Sequence, residues 1–119
     1  MDKMNLCFFV VISFQYSITS IFATPPKLIP LIDHIDVLKK STVPLICSLL
    51  VGSDINFEWT LNGLKLTTSS NTLIENSPKY SVLTLQNVQK THGGVYECRA
   101  SNSFKEFDVT KTQINIKGI

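Results

Sequence analysis

The chain has 119 residues, 44% of them hydrophobic, and a formal net charge of +2. This length allows at most one domain once a targeting segment is removed. So small a charge, with no run of like charges longer than Lys39-Lys40, argues against nucleic acid or an anionic membrane surface as partner.

Residues 1–23 are predicted to form a cleaved signal peptide. Lys3 supplies a weak positive start, residues 6–12 form an apolar run, and polar and small residues follow up to a cleavage point at Ser20 or Ala23. A membrane anchor is the alternative, but a spanning helix needs about 20 predominantly apolar residues. We therefore expect a mature domain over residues 24–119 that is secreted or displayed outside the plasma membrane, without inserting into the membrane itself.

Two cysteines, Cys47 and Cys98, remain after Cys7 leaves with the signal peptide. An exported domain with an even number of cysteines most simply forms a disulfide bond. A reactive thiol and a metal site are the alternatives. A structural zinc site usually needs paired cysteines two to four residues apart, and the chain has no such pair.

Beyond residue 24 the pattern predicts strands rather than helices. Short runs of alternating apolar residues, separated by turn residues, are typical of an antiparallel sandwich. The predicted strands are, in chain order, 27–30, 35–38, 42–49, 55–59, 64–67, 72–75, 80–86, 95–101 and 107–117. Asn62-Gly63 predicts a tight turn, and the apolar positions change parity between Val109 and Ile114, which predicts a β-bulge in the last strand.

A few inward-facing residues carry the fold assignment. Trp59 follows Cys47 by twelve residues, and Tyr96 precedes Cys98 by two. In an immunoglobulin sandwich the two cysteines lie on facing strands of opposite sheets, the tryptophan packs on their disulfide, and the tyrosine hydroxyl bonds back to the chain entering its strand. Leu85 is a further predicted core residue.

Four longer sequence segments extend this resemblance. Residues 94–102 and 81–88 resemble strands F and E of intermediate-set immunoglobulin domains, while residues 25–30 and 57–63 are similar to domains of the Down syndrome cell adhesion molecule family, including its shortened forms. The resemblance implies an all-β Greek-key sandwich of two sheets over residues 25–117. It also implies homophilic cell–cell adhesion of the neuronal-wiring, axon-guidance or self-recognition type.

The chain departs from the family pattern at two places. His92 stands where the family usually has an aspartate that ties down the turn before strand F. Residues 103–106 lack the glycine usual in the turn after it. A non-glycine residue held at positive φ costs on the order of 1 kcal/mol, so the geometry of this turn is left open.

Catalysis is not indicated. His34 and His92 are the only histidines, and neither lies in a recognised catalytic motif. Residues 33–36 suit a polar strand edge better than a metal or acid–base cluster. We therefore expect a binding protein without cofactor or metal whose partner is a protein, possible partners including itself, and not a small-molecule substrate. The alternative is a soluble secreted immune or ligand-binding module that does not self-associate.

The candidate interface lies on outward positions of two strands. By alternation Ile46 and Ser48 point away from the core on one strand, and Val82 and Thr84 do so on its expected neighbour. A contiguous apolar patch indicates an interface, and the resemblance implies self-association through this sheet. The chain has no N-x-S/T acceptor sequence, so we expect both faces to be free of N-linked glycan.

Overall fold

The computed structural model describes residues 24–118, which form two packed β-sheets. The predicted signal peptide lies outside these residues. The strands of the described part are β1 (Lys27–Leu28), β2 (His34–Leu38), β3 (Val43–Val51), β4 (Asn56–Leu61), β5 (Leu64–Lys65), β6 (Thr72–Asn76), β7 (Tyr80–Leu85), β8 (Gly94–Ser101) and β9 (Phe107–Lys117), with a short 3₁₀ helix at Lys90–His92.

The strand order confirms the predicted immunoglobulin-like sandwich. One sheet has the order β1-β3-β7-β6 and the other β2-β9-β8-β4-β5. All pairs are antiparallel except β2 with β9, which run parallel. The first two predicted strands therefore belong to different sheets, β1 to the four-stranded sheet and β2 to the five-stranded sheet.

The core lies between the sheets because successive residues of a strand point to opposite faces, so that every second residue of the long strands is directed inward. In β7 and β8, for example, every second residue is buried. Trp59, Tyr96 and Leu85 are at most 1% exposed, as predicted. The other buried hydrophobic residues are Leu28, Val43, Leu45, Cys47, Phe57, Leu83, Val88, Cys98, Ala100 and Ile114.

The predicted bulge in the last strand is wrong. The β8–β9 register runs unbroken from Gly94 opposite Ile114 to Ser101 opposite Phe107. The apolar parity changes because Phe107 and Val109 lie on the outer face, where the guanidinium of Arg99 stacks 3.7 Å from the centre of the Phe107 ring. Threonine occupies some inward positions of the same strand. The pattern of hydrophobic residues alone therefore indicated the wrong buried face for this part of the strand.

Both predicted turns adopt positive φ. Asn62 (φ 49°) and Gly63 (φ 87°) connect β4 to β5 as expected. In the hairpin between β8 and β9, Lys105 takes φ 64° without a glycine. The side-chain oxygen of Asn102 accepts the N–H groups of Phe104 and Glu106 at 2.9 and 3.0 Å. These two bonds stabilise the hairpin and offset the backbone cost of Lys105.

Candidate functional site: the outer face of the four-stranded sheet

A disulfide between Cys47 on β3 and Cys98 on β8 joins the two sheets. Both cysteines are fully buried, with their Cα atoms 6.4 Å apart. The bond uses both thiols, so neither is available as a nucleophile or a metal ligand. The disulfide is structural, and it fixes the position of β3 relative to the opposite sheet.

Trp59 adds a polar link between the sheets that the sequence reasoning missed. It lies beside Cys98 on the neighbouring strand, and its indole N–H donates to the hydroxyl of Ser81 on β7 at 2.9 Å. That hydroxyl donates in turn to the side-chain oxygen of Asn76 at 2.6 Å. The signal in the sequence was a small polar residue at an inward position of β7, in the same parity as Leu83.

The turn before β8 is held by a histidine in place of the expected aspartate. The Nδ1 atom of His92 accepts the backbone N–H of Gln89 at 2.8 Å, and the hydroxyl of Tyr96 donates to the carbonyl of His92 at 2.5 Å. Burial raises the pKa of Tyr96 to about 12, because a phenolate would lose solvation there. The predicted backward bond of the tyrosine is present, and His92 has a structural role in the turn.

The four candidate interface residues lie on one face. Ile46 on β3 is directly opposite Val82 on β7, Thr84 is opposite Pro44, and Ser48 is opposite Tyr80. Ile46 is 56% exposed, and Ser48, Val82 and Thr84 are partly exposed. The outer face of the four-stranded sheet therefore places an apolar cross-strand pair at its centre.

Three further residues enlarge this surface and were not singled out from the sequence. Tyr80 and Leu73 are 44% and 38% exposed, and Leu73 on β6 pairs with Thr84. Pro44 continues the apolar row on β3. Their strands were predicted, but only the pairing of β6 with β7 and of β7 with β3 places these side chains beside Ile46 and Val82.

Charge is distributed very differently on the five-stranded sheet. Its outer face carries the ion pairs Lys65–Glu58 at 3.3 Å and Lys111–Glu97 at 3.6 Å. Between positions 44 and 50 of β3, and between 80 and 84 of β7, no outward residue is charged. The outer face of the five-stranded sheet thus carries paired charges, whereas the two middle strands of the other face are uncharged and Glu75 on β6 lies opposite Val82.

The polar segment at residues 33–36 is a surface network. The Nε2 atom of His34 lies 2.8 Å from the carboxylate of Asp36, and the amide of Asn115 lies within hydrogen-bond distance of both side chains. The hydrogen bond from His34 lowers the pKa of Asp36, aided by the charge of Lys117 and by Asn115. Over residues 24–118 no group of three or more His, Cys, Asp or Glu side chains is placed to hold a metal ion.

A search of residues 24–118 for membrane-spanning helices finds none of sufficient length and hydropathy.

A family model described as an immunoglobulin domain matches residues 25–102. Among solved structures, an I-band fragment of titin superposes with a TM-score of 0.73 at 21% identity, covering 79% of this chain and 33% of that one. A tandem pair of titin immunoglobulin domains gives 0.73 at 26% identity, covering 80% and 50%. A complex of titin and obscurin-like 1 immunoglobulin domains gives 0.72 at 21%, covering 82% and 98%.

The chain thus spans about a third of the titin I-band fragment and half of the tandem pair. Comparison with curated proteins gives no sequence match. Structural likeness at this level of identity establishes the fold alone.

Proposed function

Because the chain belongs to the immunoglobulin domain family, we propose that it is an extracellular protein-recognition module mediating homophilic cell–cell adhesion, of the neuronal-wiring, axon-guidance or self-recognition type. The binding surface is the outer face of the four-stranded sheet. The observation that carries the proposal is the apolar pair Ile46–Val82 at the centre of a face whose two middle strands present no charge.

An exposed apolar patch on a sheet face favours a protein as its partner. Covering Ile46, Val82 and Tyr80 removes apolar surface from water, which stabilises a complex by about 25 cal/mol per Å². The neighbouring Ser48 and Thr84 can donate and accept hydrogen bonds around this centre. A polar rim around an apolar centre is the usual composition of a protein interface.

A second copy of the chain fits this face. In a two-fold interface the same patch meets itself, so any charge at the centre would face an equal charge on the other copy. The central pair Ile46–Val82 is uncharged, which removes that penalty at the centre, while Glu75 on β6 lies opposite Val82 and must stay at the rim, away from Glu75 of the second copy. The patch also lies on rigid strands rather than on a loop, so little entropy is lost when it is covered.

The size of the face sets the expected strength. The sheet has four strands and its longest strand has nine residues, so with spacings of about 4.8 and 3.4 Å it measures about 19 by 30 Å. A stable interface buries about 800 Å² per partner, which exceeds the roughly 570 Å² of this rectangle. We expect weak pairing of single modules that becomes effective through multivalency on a cell surface.

Charged substitutions at the centre of the face test this proposal. Ile46→Asp, Val82→Asp and the double variant should each weaken self-association of the full chain at least tenfold, because an interface would then bury an unpaired carboxylate. Val95→Asp is the matched control, since Val95 is 37% exposed on β8 of the other sheet. Sedimentation equilibrium measures the association, and aggregation of cells that display the chain measures adhesion.

Two outcomes would contradict the proposal. Association of the Ile46→Asp/Val82→Asp variant at the parent level would exclude this face, provided that its circular dichroism shows it to be folded. An absence of association and of cell aggregation in the parent would exclude homophily. It would favour a soluble module that captures a different protein.

A further inference from the structure

Four lysines that are distant in sequence come together at one end of the sandwich. They lie in the turn between β2 and β3, at the start of the 3₁₀ helix and at the end of β9, and are Lys39, Lys40, Lys90 and Lys117. The segments that form this basic end are residues 37–42, 86–93 and 115–118, and their sequence contains no aspartate or glutamate. A chain whose net charge is only +2 therefore gathers four positive charges at one end.

Backbone hydrogen bonds hold the segments of the basic end together. The N–H of Lys39 donates to the carbonyl of Lys117 at 3.0 Å, and the N–H of Lys40 donates to the carbonyl of Val88 at 2.7 Å. Val88 is itself fully buried, which anchors the segment before the 3₁₀ helix in the core. Lys90 follows Val88 by two residues, and successive Cα atoms are about 3.8 Å apart, so the four lysines lie within about 20 Å of one another.

Most of these charges are not neutralised within the chain. The ammonium nitrogen of Lys117 lies 4.0 Å from the carboxylate of Asp36, and both side chains are more than half exposed. Among residues 24–118, no carboxylate lies within 4.0 Å of the ammonium group of Lys39, Lys40 or Lys90. Like charges that are close together repel one another, so an anionic partner that lies across them is attracted to this end.

The opposite end of the sandwich has no such excess of charge. Its turns are residues 52–55, 77–79 and 102–106. They carry two lysines and two acidic residues, which are Lys79, Lys105, Asp54 and Glu106. The same strands therefore connect a basic end to an end whose turns are neutral overall, and an anion approaching the domain is directed toward the basic end.

The composition of the basic end selects the class of anion. Its three segments contain no Phe, Trp or Tyr, whereas single-stranded nucleic acid is usually held by stacking on such rings. Leu38 and, in the neighbouring turn, Leu64 are exposed, but they lie at opposite edges of the five-stranded sheet and form no apolar face that could enter a lipid bilayer. Lysine ammonium groups are compact point charges, and a linear chain of sulfated sugars can meet several of them over about 20 Å without stacking or insertion.

We propose that the basic end is a binding site for a sulfated polysaccharide. The polysaccharide lies across the end of the sandwich, and its sulfate groups contact the ammonium groups of Lys39, Lys40, Lys90 and Lys117. The backbone of these positions is fixed before binding, so the cost of ordering falls mainly on the lysine side chains. Attraction between exposed charges is the main source of affinity, so the binding depends strongly on salt.

This site is separate from the proposed adhesive surface. The basic end consists of turns and strand ends, whereas the adhesive surface is the outer face of the four-stranded sheet; only the choice of a polysaccharide found outside cells rests on the proposed extracellular location. Ile46→Asp/Val82→Asp should therefore change polysaccharide binding by less than about twofold at physiological salt, where charges are screened beyond about 8 Å. The failure of one proposal is thus distinguishable from the failure of the other.

Removal of charge from either end tests the position of the site. Titration calorimetry of the full chain with a heparin octasaccharide measures the binding. Lys40→Gln/Lys90→Gln should weaken it about tenfold, at about threefold for each lysine. Lys27→Gln/Lys79→Gln is the matched control, because it removes the same charge near the opposite end, and it should weaken binding by less than about twofold. Lys40→Arg/Lys90→Arg keeps the charge and should bind within about twofold of the parent.

Salt and the chemistry of the probe test the nature of the contact. A polyanion releases bound counterions when lysines neutralise it, so the affinity of the parent should fall at least about tenfold between about 50 and 200 mM sodium chloride. The fall should be smaller for Lys40→Gln/Lys90→Gln, which has fewer contacts to lose. Chemically desulfated heparin of the same length should bind at least about tenfold more weakly than heparin, because the sulfate groups carry the attraction.

Three results would overturn the polysaccharide site. The first is a folded parent that does not bind the heparin octasaccharide at about 50 mM salt. The second is equal weakening by Lys40→Gln/Lys90→Gln and by Lys27→Gln/Lys79→Gln, which would show an effect of net charge and not of a site. The third is tighter binding, at equal salt, to phosphatidylserine vesicles or to a single-stranded oligonucleotide than to heparin, which would assign the basic end to a lipid surface or to nucleic acid.

Discussion

The two outer faces of the sandwich are built on the same strand geometry and differ in what their outward positions carry. On the five-stranded sheet, Glu58 pairs with Lys65 and Glu97 pairs with Lys111. On the four-stranded sheet, the corresponding central positions carry Ile46 and Val82. Charges that are already paired within the chain gain little from a partner, whereas exposed apolar groups gain from being covered.

Both faces depend on the same interior. Cys47 and Cys98 connect the sheets covalently, and the bond from Trp59 to Ser81 crosses the same gap. A change in the interior should therefore affect both faces together, and a change on one face should leave the other unaltered. Substitutions can separate these two cases.

Removing the disulfide should have the largest effect. For Cys47→Ala/Cys98→Ala, the loop of about 50 residues loses its constraint in the unfolded chain, and the free energy of unfolding should fall by about 4 kcal/mol. Urea denaturation followed by Trp59 fluorescence measures the fall, with the chemically reduced parent as control. A loss below about 1 kcal/mol would show that the contacts between the sheets, and not the bridge, hold the two faces together.

Ionisation of Tyr96 should have an intermediate effect. Its pKa in the folded chain is about 12, against about 10 for an unfolded tyrosine. Stabilisation is therefore complete below pH 10 and is lost as pH rises through 12. With allowance for solvent screening at the part-buried hydroxyl, we expect a loss of about 2 kcal/mol over that range. Denaturation of the parent and of Tyr96→Phe between pH 9 and 12 checks it; equal slopes in the two proteins would contradict this assignment.

The ion pair between Glu97 and Lys111 should have the smallest effect. Lys111 is 62% exposed, so a double-mutant cycle with alanine should give a coupling of about 0.5 kcal/mol that decreases with salt. Self-association should not change in Glu97→Ala, in Lys111→Ala or in the double variant. A coupling above about 1.5 kcal/mol, or weaker association, would remove the distinction between a solvated face and a binding face.

Most of the architecture could be predicted from local patterns. Alternation placed the strands within a few residues of their observed bounds, and the spacing of Trp59 and Tyr96 from the cysteines indicated the sandwich. The bulge predicted near Val109 failed because an outward Phe107 and an inward Thr112 invert the hydrophobic signal. The hairpin at Lys105 was left open because its stability depends on how Asn102 bonds the turn.

The candidate site was predicted in part. Ile46, Ser48, Val82 and Thr84 were assigned to one face from parity alone, and the structure places them there. Which residues surround them depends on strand order, so only the structure showed that Tyr80 and Leu73 lie on the same surface. The self-association of this face remains a prediction.

The sequence by itself determined the periodicity of the strands, the inward positions of the cysteines and of Trp59, and the lack of outward charge around Ile46 and Val82 on their own strands, because these follow from residue type and a repeat of two. Only the tertiary structure decided which strands are neighbours and which side chains share a face with them. The N–H of Leu28, for example, bonds the carboxylate of Asp108 80 residues away, and Leu73 reaches the candidate face only because β6 pairs with β7. Long-range contacts of this kind leave no local pattern to read.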